Sequence, residues 1–199
     1  VGYLAASFPG RIAWLIGPGG WREPPAWMPV AIDNGAFPAW TKGQEWDESA
    51  FMELLETAHR FCPPLWAVVP DVVTDRDATM ASWHKWQPIL SDLYPRLPLA
   101  MAVQDGMTPK DVPDSAEWIF VGGADPWKMQ SVPMWTEAFP GRVHVGRVNG
   151  EKRLWECDRA GVTSCDGTGW FRGDKNQTAG LTRYLEQSTS GNVPQLPLL

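Results

Sequence analysis

Short apolar runs that each stop on an acid, an amide or a glycine recur along the chain: AIDNG at 31–35, AVVPD at 67–71, AMAVQD at 100–105, IFVGG at 119–123, VHVGRVN at 143–149 and SCDGTG at 164–169. Apolar runs this short, bounded by turn signals, read as strands buried on both faces. Between several of them the apolar positions change to helical spacing. Over 47–60, Phe51, Leu54, Leu55 and Ala58 share one face and Asp47 stands as an N-cap. Over 75–93, Ala78, Ala81, Trp83 and Trp86 repeat that pattern, with Pro88 expected to end or kink the helix. Shorter helices are predicted over 126–139, interrupted by Pro133, over 150–160 and over 176–187. YLAAS at 3–7 reads as a first strand, and 17–29 as a loop rich in Gly, Pro and Trp.

Buried strands alternating with amphipathic helices predict an α/β fold, a compact (β/α)8-like TIM barrel. Seven strands are legible and an eighth is missing or irregular. Residues 1–187 form one domain in this reading, and 188–199 a loosely ordered tail. At 199 residues the chain is short for a barrel, whose usual length is about 250. In such a barrel the C-terminal strand ends converge on one mouth. Asp33, Asp71, Gln104, Asp105, Arg147, Asn149 and Asp166 are then neighbours.

Composition narrows the function classes. A net charge of −6 and a pI near 5.0 argue against a surface coated with phosphate-binding cations. Arg142, Arg147, Lys152 and Arg153 still cluster locally, and Arg172 and Lys175 follow the last acidic motif. Lys152 and Arg153 read as a solvated helix face, whereas Arg147 lies inside a strand-end motif. The absence of a long apolar run and of a basic, then apolar, amino terminus points to a cytoplasmic protein. Cys62, Cys157 and Cys165 are scattered and odd in number, so they suggest small buried residues rather than disulfides or a zinc site. Of thirteen tryptophans, most read as packing residues. Trp40 and Trp170 follow acidic strand-end motifs closely, which makes them candidates for stacking on a nucleobase.

The chemistry centres on carboxylates. Asp33 and Asp166 stand at distant strand ends, each in a glycine-containing turn, DNG or DGTG, that lets a substrate approach the backbone. Paired carboxylates can divide glycosyl transfer, one attacking the anomeric carbon and the other moving protons to and from the leaving group. The same turns are also ordinary sites for aspartates that hydrogen-bond their own backbone. His84 and His144 read as packing or supporting residues.

D-N-G-A-F at 33–37 resembles the D-S-G-G-F motif of the tRNA-guanine transglycosylase family, and G-V-T-S-C-D-G at 161–167 resembles that family's G-x4-D-C segment. Between them P-D at 70–71, V-Q-D-G at 103–106, V-G-G at 121–123 and H-V-G-R-V at 144–148 follow the order of the family's substrate-contacting strands. The resemblance spans roughly residues 29–170. It implies a pentosyltransferase in which Asp166 is the nucleophile that displaces guanine and holds the sugar as an aspartyl intermediate. Asp33 is then the proton-transfer residue. Asp71 and Gln104 read the edge of guanine or a 7-deazaguanine, and Gly122 and Gly123 line the pocket with backbone. Asp105, Arg147 and Asn149 are further candidate substrate contacts, with Arg147 touching a phosphate or orienting Asp166. Trp170 is the candidate for supporting the gap left by an extruded base.

Three departures qualify what the resemblance implies. The cysteines and histidine that hold zinc near the carboxyl terminus of the tRNA-modifying enzymes have no counterpart, the chain is about half their size, and its acidic balance lacks an obvious tRNA surface. It is closer to the small phage-encoded members thought to insert 7-deazaguanines into DNA, which would shield a viral genome from restriction. The expected partners are therefore DNA ahead of tRNA, a base such as 7-cyano-7-deazaguanine, and a partner subunit or a second copy, with no cofactor and no metal. A barrel glycosidase or lyase acting on a small substrate, and a non-catalytic transglycosylase subunit, stay open.

Overall fold

The computed structural model describes residues 2–171, 175–188 and 196–198. Eight short strands run parallel in chain order: β1 (Trp14–Ile16), β2 (Val30–Ile32), β3 (Ala67–Val68), β4 (Leu99–Val103), β5 (Trp118–Val121), β6 (Val143–Val145), β7 (Ser164–Asp166) and β8 (Leu196–Leu198). The first seven curve into a nearly closed TIM-like barrel. β8 pairs with β7, and among the described residues no pairing joins β8 to β1, so one seam is unsealed.

The helices are α1 (Gly2–Ser7), α2 (Ala36–Thr41), α3 (Glu48–Phe61), α4 (Arg76–Leu93), α5 (Asp125–Ala138), α6 (Glu151–Arg159) and α7 (Lys175–Gln187). α3 starts where the sequence places it, with the Asp47 carboxylate accepting from the Ala50 N–H at 2.9 Å. Its apolar face, Phe51, Leu54, Leu55 and Ala58, is buried, and each large side chain there contributes about 1.5–3 kcal/mol. Pro88 and Pro133 lie inside α4 and α5, which continue past them to Leu93 and Ala138.

Strand alternation divides the interior in two. Ala13, Ala31, Trp66, Val68, Ala100 and Ala102, with Leu15, Trp118 and Phe120, fill the barrel. Their odd-even partners, among them Ile32, Val69, Met101, Val103, Ile119, Val121, Val143, Val145 and Cys165, face the helices. Across the sheet Ala102, Phe120, His144 and Ser164 stand abreast. Two residues further along each strand come Gln104, Gly122, Gly146 and Asp166, the rim of the barrel.

One expectation needs correction. YLAAS at 3–7 is helical, because Leu4 is buried and the Phe8 N–H donates back to the Leu4 carbonyl, while Tyr3 projects into solvent. The first strand is Trp14–Ile16, preceded by the buried Ile12 and Ala13. In the expected loose tail, residues 196–198 form β8; residues 189–195 and 199 lie outside the described residues. Cys157 and Cys165 are buried and Cys62 half-buried, all three as free thiols. Among the described residues no helix is long and apolar enough to cross a membrane.

Candidate active site

A cavity of about 550 Å³ opens at the C-terminal ends of the strands, large enough for a nucleobase with its sugar. Asp33, Asp71, Gln104, Gly122, Gly123, Arg147, Asn149 and Asp166 line it, together with Asn34, Phe37, Lys42 and Phe120. Eight of the ten residues expected at the site are thus brought together. Asp105 and Trp170 are not.

Asp33 follows β2 directly. Its Oδ1 accepts from the Gly35 N–H at 3.1 Å, so the aspartate does close the local turn and still faces the cavity. Gly35 takes the left-handed conformation (φ 79°), and a Cβ there would strike the Pro18 ring at 2.8 Å, so both backbone and space require glycine. Burial pushes the Asp33 carboxyl up to about 7, against the pull of the Gly35 N–H and with help from the charges of Asp166 and Asp71. It can therefore give or take a proton near neutral pH.

Asp71 follows β3, and both its oxygens are held. Asn34 Nδ2 donates to Oδ1 at 2.6 Å and Gln104 Nε2 to Oδ2 at 2.7 Å. Burial raises the Asp71 carboxyl and these two amides oppose the rise. Asn34 is itself buried. Its amide also donates to the Val69 carbonyl at 3.0 Å, its side-chain oxygen accepts from the Ala36 N–H at 2.7 Å, and its own carbonyl accepts from Trp46 Nε1. Gln104 Oε1 accepts from the N–H of Thr74, a residue held at φ 64°. Each Asp71 oxygen keeps lone-pair capacity for a ligand N–H, and Gln104 keeps a second amide hydrogen.

Asp166 ends β7, with its side chain 13 % exposed. Its Oδ1 accepts from the Arg147 N–H at 3.1 Å and lies 3.1 Å from His144 Nε2. Arg147 adopts φ 58°, a strained backbone costing about 1–3 kcal/mol that turns its N–H toward Asp166. The preceding Gly146 carbonyl accepts from Lys128 Nζ at 2.8 Å, so one peptide unit is gripped at both ends. Lys128, on α5, is fully buried and pairs with Asp125 at 3.0 Å, and Asp125 in turn pairs with Arg153 at 2.6 Å. Burial holds the Lys128 ammonium below its usual value and Asp125 partly restores it. The Arg147 guanidinium donates to the Gly123 carbonyl and lies 4.2 Å over the Phe37 ring. Asn149 Oδ1 accepts from the Gly169 N–H at 3.0 Å, tying the loop after β7 to the rim.

Asp105 points away because it is the residue next to Gln104 on an alternating strand. Its Oδ1 accepts from the Ala124 N–H at the start of α5, on the helix side of the barrel. Trp170 is fully buried in the outer core, so its ring cannot stack on an extruded base. Trp40, on α2 beside the lining residues Phe37, Pro38, Thr41 and Lys42, is 54 % exposed, with its ring 5.9 Å from that of Phe37. The residues sequence reasoning passed over are Asn34, Phe37, Lys42, Lys128 and Ser164; inward parity would have marked Ser164 along with His144. Among the described residues no group of three His, Cys, Asp or Glu side chains could hold a metal ion.

No protein-family model matches the chain, and a search of curated proteins finds no match.

Proposed function

We propose that the chain is a base-exchange transglycosylase that replaces guanine in a polynucleotide, DNA ahead of tRNA, with a 7-deazaguanine. The observation that carries this reading is the division of labour between two carboxylates of one cavity. Asp33 sits near a pKa of 7 and can shuttle a proton, while Asp166 is held by the Arg147 backbone and faces the same space. In the first half-reaction an Asp166 oxygen bonds C1′ as the C1′–N9 bond breaks, and the departing guanine takes a proton from Asp33. In the second, Asp33 takes a proton from the incoming base, whose nitrogen attacks C1′ and releases Asp166.

Asp71 and Gln104 supply what a guanine-like edge needs: a carboxylate for N1–H and the exocyclic amine, and an amide N–H for the carbonyl. Gly122 leaves room for the ring against Phe120, since a Cβ there would lie 3.6 Å from Gln104 Nε2 on the cavity side. Gly123 lines the cavity with backbone and is glycine because a Cβ would meet Asp105 and Trp127 on the helix side. Arg147 and Lys42 supply positive charge at the mouth for a phosphate, and Trp40 an exposed ring for a neighbouring base. The reading places the protein in the cytoplasm of the cell that makes it, with the polynucleotide it modifies.

The test is incubation of the purified chain with duplex DNA, and separately with tRNA, plus 7-cyano-7-deazaguanine, followed by nucleoside mass spectrometry. A deazaguanine nucleoside in DNA, lost in Asp166→Ala, is the expected result. Release of free sugar from a small glycoside instead would assign the dyad to a hydrolase. Exchange only after a second protein is added would make this chain a subunit.

A further inference from the structure

His144 stands on the inner face of β6, and both of its ring nitrogens are engaged. Nδ1 lies 2.8 Å from Ser164 Oγ and Nε2 3.1 Å from Asp166 Oδ1. A carboxylate only accepts, so Nε2 carries a hydrogen, and in the neutral ring Nδ1 accepts from the Ser164 hydroxyl. A single ring hydrogen thus satisfies both contacts. The ring cannot swing away, because it stacks on Phe120 at 4.9 Å and 27° and packs against Trp66 at 5.0 Å. His144 and Ser164 are 1 % and 4 % exposed and neither lines the cavity, so any influence on substrate passes through Asp166.

The two Asp166 oxygens differ accordingly. Oδ1 takes the His144 and Arg147 donors, and among the described residues no donor is placed on Oδ2. We infer that His144, held in its Nε2–H form by Ser164, is a positioning residue that fixes Oδ1 and thereby selects Oδ2 as the oxygen that attacks C1′. This rests on the transglycosylase reading. The Oδ2–C1′ bond forms as C1′–N9 breaks, its electron pair leaving with the base, which is protonated by Asp33. On return, the incoming base gives its proton to Asp33, its nitrogen bonds C1′, and the Oδ2–C1′ pair goes back to Asp166. His144 exchanges no proton in either half. Its hydrogen bond keeps one carboxylate rotamer through both.

The experiment is exchange of radiolabelled guanine into DNA and tRNA by the 199-residue chain. This degenerate reaction needs no knowledge of the natural incoming base. His144→Phe keeps the ring packing and removes both hydrogen bonds, whereas His144→Gln restores an amide N–H near the Nε2 position. Expected are a fall in kcat of about 10- to 100-fold for His144→Phe with KM for guanine within about twofold, and partial recovery in His144→Gln. A wild-type kcat in His144→Phe, or a Gln variant no better than Phe, overturns the positioning role. If His144→Phe does not fold, Ser164→Ala decides: a several-fold loss of kcat at unchanged KM supports the inference, and a wild-type kcat overturns it. Wild-type protein that exchanges guanine into neither polymer overturns the transglycosylase reading, and the inference with it.

Discussion

The guanidinium carbon of Arg147 lies 4.2 Å over the ring of Phe37, so a residue at the end of β6 reaches across the cavity mouth to the helix that follows β2. The same side chain donates to the Gly123 carbonyl, which makes it a bridge among three strand ends. Its backbone does a separate task, since the N–H to Asp166 belongs to any residue at this position.

Arg147→Gly separates the two roles. Glycine adopts φ 58° without strain and keeps the N–H, so strain relief offsets the lost cation–π contact and the lost hydrogen bond to the Gly123 carbonyl, and stability stays within about 1 kcal/mol of wild type. Polynucleotide binding, followed by fluorescence anisotropy across a salt series, is expected to weaken and to lose about one unit of salt slope. Arg147→Lys should recover the salt slope, because the charge is kept, while losing the planar contact with Phe37.

Asp33 gives the fold a cost that depends on pH. Its carboxyl titrates near 7 in the folded chain and near 3.8 otherwise, so between those values the folded state binds more protons and stability falls as pH rises. Asp33→Asn removes this penalty. Urea denaturation should find the variant more stable than wild type by an amount on the order of 2–4 kcal/mol at pH 8. The difference should shrink toward zero as pH drops to about 4, and base exchange should be lost throughout.

Asp105 and Gln104 are sequence neighbours with opposite fates, and that is measurable. Asp105→Ala removes the acceptor for the Ala124 N–H and should cost about 1 kcal/mol of stability while leaving the KM for guanine unchanged. Gln104→Ala should raise that KM at least tenfold, because the amide both holds Asp71 and faces the cavity.

The tryptophans divide in the same way. Trp170→Ala should cost about 3–5 kcal/mol, as a fully buried indole lost from the core. Trp40→Ala should leave the melting temperature unchanged and weaken single-stranded DNA by about 1–3 kcal/mol in an equilibrium titration.

The strand ends were legible because a buried parallel strand must be an apolar run, and the polar residue that stops it stands at the rim. Asp33, Asp71, Gln104 and Asp166 follow from that alone. Alternation carried further information that the motifs obscured: in V-Q-D-G both polar residues look alike, yet only one parity enters the barrel. YLAAS misled because a run of five apolar and small residues fits a helix as well as a strand, and the choice rests on what Leu4 and Phe8 pack against. α2 was hidden because six residues give too little period to detect, and Pro38 reads as a breaker although it is tolerated in a first turn. Lys128 gave no signal at all. Its burial depends on a carbonyl and a carboxylate that arrive from elsewhere in the chain.

The cavity gathers three acidic side chains, and a second buried cation reaching in among them would pair with one directly. Lys128 avoids this. Its charge stops at the Gly146 carbonyl and is passed on through the peptide to the N–H that faces Asp166. The carboxylate thus feels a polarised dipole in place of an ion, and the ammonium stays out of the cavity behind a single layer of backbone.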